Sequence, residues 1–150
     1  MANHVYSFYG HLHNMAFGKP IKKQCKAISM YQPYAWLIAN GHMDIDDRNW
    51  NTNYRGKLAI HASKKFDLNY YLYVSNVLKI KMPAPEDFEY GGIIAFCNLD
   101  NCLTPNCKTN IPTQRRTHGG GNYYGLLLTN ITKVNLIPYK GMPGLFNYTQ

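Results

Sequence analysis

The residues best suited to chemistry form an acidic segment that ends in an arginine, DIDDR, at positions 44–48. On an extended strand, Asp44 and Asp46 lie on one face and Asp47 points to the other. Two carboxylates in a cleft can hold Mg²⁺ or Mn²⁺ for phosphodiester cleavage. Alternatively, Asp46 pairs with Arg48 and fixes the wall of a pocket. The pattern favours the second interpretation, so no cofactor is predicted except a divalent metal if the protein is a nuclease.

A second candidate site lies in the predicted strand KLAIHAS, residues 57–63, where Lys57, His61 and Ser63 share one face. His61 can act as an acid or a base in RNA cleavage, and Lys57 is the other catalytic candidate. The competing interpretation is a structural histidine that is hydrogen-bonded to the sheet. The chain has no Gly-x-Ser-x-Gly element, and spacing alone identifies no Ser-His-Asp set.

The charge balance indicates a polyanionic partner. The chain has 16 Lys and Arg against 8 Asp and Glu, a net charge of +8, and it contains 13 tyrosines. Basic and aromatic side chains together favour RNA or another nucleic acid. Arginine can take a phosphate with two hydrogen bonds, and Tyr31, Tyr34 or Tyr54 can stack on a base. The candidate contacts are Gln32, Tyr34, Arg48, Tyr54, Arg55, Lys57, Lys64, Lys65, Arg115, Arg116 and His118.

A glycine-rich loop is the candidate lid of this site. Arg115, Arg116 and His118 precede three consecutive glycines, 119–121. Glycines make a loop mobile and let a ligand backbone approach closely. The loop lacks the Lys-Ser/Thr ending of a P-loop.

Several protein classes are disfavoured. No apolar run is long enough for a membrane span, and the N-terminus lacks the order of a signal peptide. We therefore expect a cytoplasmic protein without membrane contact. The spacing of Cys97, Cys102 and Cys107 is wider than that of a zinc knuckle, which favours reduced thiols. His11 and His13 could ligate a metal, but two ligands alone make a weak site.

The patterns predict strands with two inserted helices. Strands are expected at 25–31, 57–63, 91–102 and 123–131, with extended segments at 43–50 and near the C-terminus. Helices are expected at 33–40, with Pro33 at the start and Gly41 as the stop, and at 67–80, with Asp67 as N-cap and Lys79 and Lys81 at the end. The order β-α-β-β-α-β-β-β predicts an α+β fold built on a small mixed barrel. Residues 1–24 are predicted to be an N-terminal extension to a domain at 25–150.

Six separated segments in this order resemble the ASCH domain, a branch of the PUA-like β-barrel fold. They are AISMYQPYAWLIANG, DRNW, YRGKLAIHASKK and the later segments GGIIAF, YYGLLL and KGMPGLF. The resemblance covers about residues 26–146. It implies a small PUA-like mixed barrel with two or more flanking helices, and an RNA or nucleotide bound in a cleft beside the first helix. Trp36 and Asp46 are expected to line that pocket.

The chain departs from the family where some members remove an acetyl group from modified cytidine. Met43 stands where those members carry a catalytic Lys, and Asn98 stands where members often carry a Glu. Neither side chain supplies a useful acid or base, which disfavours deacetylation. Two alternatives to an RNA-binding module remain. One is a metal-assisted ribonuclease that uses the same cleft. The other is a phage or viral interaction protein with a protein partner.

Overall fold

The structure of the protein, a computed structural model, describes residues 24–150. The predicted extension at 1–24, including His11 and His13, lies outside the described residues except for Gln24. No helix within the described residues has the length and apolar character needed to cross a bilayer.

Six strands and two helices follow one another in the predicted order. The strands are β1 (Gln24–Gln32), β2 (Ile45–Arg48), β3 (Gly56–Phe66), β4 (Gly92–Leu103), β5 (Tyr124–Pro138) and β6 (Leu145–Thr149). The helices are α1 (Tyr34–Ala39) and α2 (Leu68–Asn76), and short 3₁₀ turns occur at Pro85–Asp87 and Thr113–Arg115. The α+β class is therefore confirmed. Strand β5 extends seven residues beyond its predicted end at 131, because its outer half pairs with the start of β4.

All six strands belong to one mixed sheet with the order β2-β5-β4-β3-β1-β6. Strands β1 and β3 are parallel, and every other pair is antiparallel. Over residues 24–150 the sheet is open, so the predicted closed barrel is not observed. Strand β6 pairs with β1 only as far as Ile28. Residues 29–32 of β1 therefore extend beyond the end of β6.

The two faces of the sheet bury different cores. Leu58, Ile60 and Ala62 of β3 point into the main core beneath α1, as their alternation predicts. Ala59 points to the other face, where it joins a smaller cluster that includes Phe146. His61 also lies on this second face of β3, away from the main core beneath α1.

The helix termini confirm the predicted N-cap of α2 and correct its end. The Asp67 carboxylate accepts a hydrogen bond from the Tyr70 N–H at 3.0 Å. The helix ends at Asn76 because Lys79 has a φ of +58° and the Ile80 N–H turns back to Val74 O, at 3.2 Å. The predicted extension to residue 80 is wrong, and neither Lys79 nor Lys81 lies in the last turn. Helix α1 is followed by Gly41 with a φ of +77°, as predicted.

Candidate functional site

Two adjoining hollows open at the end of β1 that β6 does not cover. The smaller, which we call the cleft, has a volume of about 260 Å³. The larger, which we call the lysine groove, has a volume of about 900 Å³. Ser29, Tyr31 and Arg48 line both hollows, so the two adjoin at these residues. The remaining cleft residues are Met30, Tyr34, Asp46, Asp47, Asp67 and His118.

The cleft lies where β2 and the end of β1 approach each other without pairing. Arg48 connects the two strands: its Nη2 donates to the Ser29 carbonyl at 2.9 Å and its Nε donates to Asp46 Oδ2 at 2.7 Å. The predicted pairing of Asp46 with Arg48 is therefore present. Burial raises the pKa of the Asp46 carboxyl, and the Arg48 guanidinium opposes that shift.

Asp47 holds the glycine-rich loop in place. Its carboxylate is buried and accepts hydrogen bonds from Arg116 Nε at 3.0 Å, Arg116 Nη2 at 2.6 Å, and the N–H groups of His118 and Gly120, both at 3.0 Å. Arg116 was expected to contact phosphate. Its guanidinium is instead buried against Asp47, so that expectation is wrong.

Asp44 is bound by Arg115 through both of its carboxylate oxygens. The Arg115 Nε donates to Asp44 Oδ1 at 2.8 Å, and its Nη2 donates to the other carboxylate oxygen. Asp44 and Asp46 are thus each satisfied by a different arginine. No cluster of three metal-ligating side chains occurs among the described residues. Asp44 and Asp46, the weak metal candidates of the sequence, and Arg115, a predicted phosphate contact, are therefore all engaged in ion pairs.

Tyr34 borders the cleft, but its ring is already stacked. Tyr70 lies on it with ring centroids 4.2 Å apart, and His118 lies 5.1 Å away, nearly parallel. The Tyr34 hydroxyl donates to Asp67 Oδ2 at 3.0 Å. Burial and the Asp67 carboxylate together raise the pKa of Tyr34 well above its usual range. Tyr34 is therefore a structural part of the cleft wall and does not offer a free ring face to a base. His118, in contrast, is exposed at the rim of the cleft.

The lysine groove carries positive charge without an acidic side chain in its lining. Lys64 and Lys65 come from the end of β3, and Lys140 comes from the loop between β5 and β6. Tyr31, 46% exposed, lies beside Lys65, whose Nζ is 5.5 Å from the ring centroid. These residues present a positive surface with an exposed aromatic ring to a ligand.

His61 lies at the floor of the lysine groove and is 2% exposed. Its Nδ1 lies 2.9 Å from Ser29 Oγ and its Nε2 lies 2.6 Å from the carbonyl oxygen of Tyr139. Lys57, the other predicted catalytic residue, has its Nζ 4.8 Å from the Phe96 ring centroid. Lys57 lines neither hollow, because four residues of strand, roughly 13 Å, separate it from His61.

Four further predicted contacts lie outside both hollows. Gln32 is fully buried, and its side chain bonds Trp36 N and Glu89 O, each at 2.9 Å, which fixes the start of α1. Trp36 stacks on His42 and lines a separate small cavity with Gln32. Both were expected at the ligand site, and both instead support the helix.

Tyr54 and Arg55 fold back on their own segment. The Tyr54 hydroxyl donates to the Lys57 carbonyl, and the Arg55 guanidinium donates to the carbonyls of Thr52 and Tyr54 at 3.0 and 2.8 Å. These contacts precede β3 at the end remote from Lys64. Neither residue lines the cleft or the lysine groove.

Met43 and Asn98 lie outside the cleft and the lysine groove. Met43 is 1% exposed and accepts a hydrogen bond from the Tyr70 hydroxyl at 3.4 Å. All four cysteines lie within the described residues and are free thiols, as predicted. Burial raises the pKa of Cys97 to about 12, so that thiol stays protonated.

The sequence missed the groove wall formed by residues 139–144, and it missed the pairing of Ser29 with His61. The signal for the wall was the Lys140-Gly141-Met142-Pro143-Gly144 run, a cation within a turn. No local pattern marks the pairing, since it depends on the register of β1 against β3.

Neither models of known protein families nor curated proteins match this chain.

Proposed function

We propose that this chain is an ASCH-type, PUA-like domain that binds single-stranded RNA. The phosphates follow the lysine groove, and a base is held at the mouth of the cleft. The observation that carries the proposal is that a groove lined by Lys64, Lys65 and Lys140, without a carboxylate, adjoins a cleft that contains several carboxylates. The phosphates of an RNA backbone need the positive charge of the lysine groove. The N–H donors of a base suit the acidic cleft.

Tyr31 is the stacking residue in this proposal, in place of Tyr34 and Tyr54. Its ring is half exposed at the junction of the two hollows and lies beside Lys65. Stacking of a base on an aromatic ring contributes about 1–3 kcal/mol. A base on Tyr31 would leave its phosphates within reach of the groove lysines. Single-stranded RNA exposes its bases for such contacts, whereas duplex RNA does not.

The PUA-like assignment rests on the element order and on how the sheet ends meet. Strand β2 and the end of β1 belong to opposite parts of the strand order, yet Arg48 links them directly. In a closed barrel, these two strands would be joined by backbone hydrogen bonds. Here the Arg48 side chain joins them instead, which supports a fold derived from a barrel that is open at the cleft.

A salt titration with charge-matched variants tests the proposal. Filter binding of a poly-uridine oligonucleotide is measured for wild type, for a groove variant with Lys64, Lys65 and Lys140 changed to Gln, and for a control with Lys79, Lys81 and Lys108 changed to Gln. All six lysines are exposed, and the control lysines line neither hollow. Three phosphate contacts give a slope of log K against log salt of about −2. The groove variant should lose this slope and the control should keep it.

Two results would contradict the proposal. One is equal weakening by the groove and control variants, which would mean that only total charge matters. The other is undetectable binding by wild type at about 0.1 M salt. Tyr31→Ala adds an independent measurement, with an expected loss in affinity of roughly 5- to 150-fold.

A further inference from the structure

We propose that Ser29 and His61 form a nucleophile–base pair that hydrolyses carboxylic esters of negatively charged compounds. The pair forms because β1 and β3 are parallel neighbours with Ser29 directly opposite His61. The antiparallel register of β3 against β4 shifts between Ile60 and His61. The extra residue there is Ile94 of β4, so His61 keeps the regular alternation of β3, and irregularities of this kind are frequent beside active sites. This proposal needs the positive groove but does not depend on RNA binding.

The hydrogen bonds of His61 determine which of its nitrogens carries the proton. The Tyr139 carbonyl oxygen can only accept, so Nε2, at 2.6 Å, must be the donor. Nδ1 in the neutral ring is then the acceptor, and it lies 2.9 Å from Ser29 Oγ. This is the arrangement of a nucleophile, a base and a third group that orients the base. Phe146 packs edge-on to the imidazole at a centroid distance of 6.0 Å and helps to fix the ring.

Ser29 is reachable, whereas His61 is protected. Ser29 is half-buried and lines both the cleft and the lysine groove, so an ester in either hollow can approach its Oγ. The loop after β5 covers the imidazole. A Cβ added at Gly141 would lie 2.6 Å from His61 Cε1 and 3.1 Å from Ser29 Oγ. A glycine at this position therefore lets the loop backbone lie against the pair.

The charges around the pair indicate the substrate class. Lys64, Lys65 and Lys140 line the same groove as His61, and Arg48 donates to the Ser29 carbonyl at 2.9 Å. An ester that carries a carboxylate or phosphate is held by the lysines. The Arg48 guanidinium also lines this groove and adds a further positive charge beside the serine backbone.

The reaction balances with these groups and water. The Ser29 Oγ attacks the ester carbonyl carbon, and its proton passes to His61 Nδ1. The tetrahedral intermediate collapses with cleavage of the carbon–oxygen bond, and the imidazolium returns the proton to the departing alkoxide. Water then attacks the acyl-serine with His61 again as base, which releases the carboxylic acid and restores the serine hydroxyl.

Active-site labelling and ester hydrolysis test the pair. A fluorophosphonate probe forms a bond from a nucleophilic serine oxygen to phosphorus with loss of fluoride, and peptide mass spectrometry locates the adduct. We expect labelling of Ser29, none in Ser29→Ala, and unchanged labelling in Ser75→Ala. Ser75 is a suitable control because it is exposed on α2 and lines neither hollow.

His61→Gln removes the base while its amide can still donate to the Tyr139 carbonyl. The expected loss in labelling rate is about 10²- to 10⁴-fold. If this variant does not fold by circular dichroism, Gly141→Ala keeps both residues and crowds them, and should also slow labelling. Labelling of Ser29 at the wild-type rate in a folded His61→Gln or Gly141→Ala protein overturns the proposal, as does an unlabelled Ser29 in wild type.

Two activated esters test the substrate class. Wild type should hydrolyse the 4-nitrophenyl monoester of succinic acid, which carries a carboxylate, faster than neutral 4-nitrophenyl acetate. Lys64→Gln combined with Lys65→Gln should reduce this preference, and Ser29→Ala should abolish hydrolysis of both above the buffer rate. Equal hydrolysis by wild type and Ser29→Ala overturns the proposal, even if RNA binding is intact.

Discussion

Replacement of Asp47 by Asn is expected to destabilise the protein strongly. The carboxylate is 2% exposed and accepts four hydrogen bonds, two from Arg116 and one each from the N–H groups of His118 and Gly120. Asparagine has nearly the same shape but only one acceptor oxygen. Its amide nitrogen would face a donor, and the guanidinium of Arg116, itself 8% exposed, would lose its counter-charge.

The magnitude follows from these contacts. Removal of one partner of a buried ion pair costs about 3–5 kcal/mol. Loss of the acceptor for a buried backbone N–H adds about 1–3 kcal/mol. Because the same carboxylate serves all the donors, these effects overlap, and we expect a loss of about 4–6 kcal/mol in the free energy of unfolding. This is a large share of the roughly 5–15 kcal/mol that typically stabilises a domain.

Urea unfolding monitored by circular dichroism measures this loss, and Asp44→Asn is the matched control. The Asp44–Arg115 pair has side chains 30% and 42% exposed, so its removal should cost less than about 1 kcal/mol. Arg116→Met should recover part of the loss in the Asp47→Asn background, because no unpaired guanidinium then remains buried. An Asp47→Asn protein as stable as Asp44→Asn would refute the reasoning.

Three further predictions concern the cleft and the sheet. Burial raises the pKa of Asp46, so above about pH 4 the folded protein retains a proton that the unfolded chain has lost. The unfolding free energy of wild type relative to Asp46→Asn should therefore fall as the pH rises from about 4, and urea titrations that show it constant or rising would contradict this. Asp67→Ala removes the cap on the Tyr70 N–H and should cost about 1 kcal/mol in urea unfolding; an unchanged midpoint would exclude a role for the cap. Gly92→Ala places a Cβ against the Ile137 carbonyl oxygen and should cost about 1–3 kcal/mol by thermal unfolding, and full retention of stability would show that the backbone yields there.

Local signals predicted the elements well. The alternation of residues 57–63 identified β3 and its core face, and the Asp67 and Gly41 signals correctly marked the start of α2 and the end of α1. The pairing of Asp46 with Arg48 was also predictable, because residues two apart on a strand share a face. All these features depend on residues close together in the chain.

Contacts between distant segments were not predictable in this way. Arg115 and Arg116 looked like phosphate ligands in a mobile loop, since nothing local indicated that Asp44 and Asp47, about seventy residues away, would bind them. Tyr34 looked available for stacking until the structure placed Tyr70 on its ring. In each case the side chain has no partner nearby in the sequence, and the fold brings a distant residue into contact with it.

The arginines and lysines therefore divide the positive charge between two tasks. Three of the four arginines pair with Asp44, Asp46 and Asp47, and Arg55 bonds backbone carbonyls. Ion pairing removes equal numbers of both signs, so most of the net charge of +8 is carried by lysines. A lysine ammonium attracts phosphate without the directional fork of a guanidinium. On the proposed function, the groove lysines then contribute affinity that is the same for every RNA sequence. Any preference among sequences must arise at the cleft, where Tyr31 and His118 meet the base.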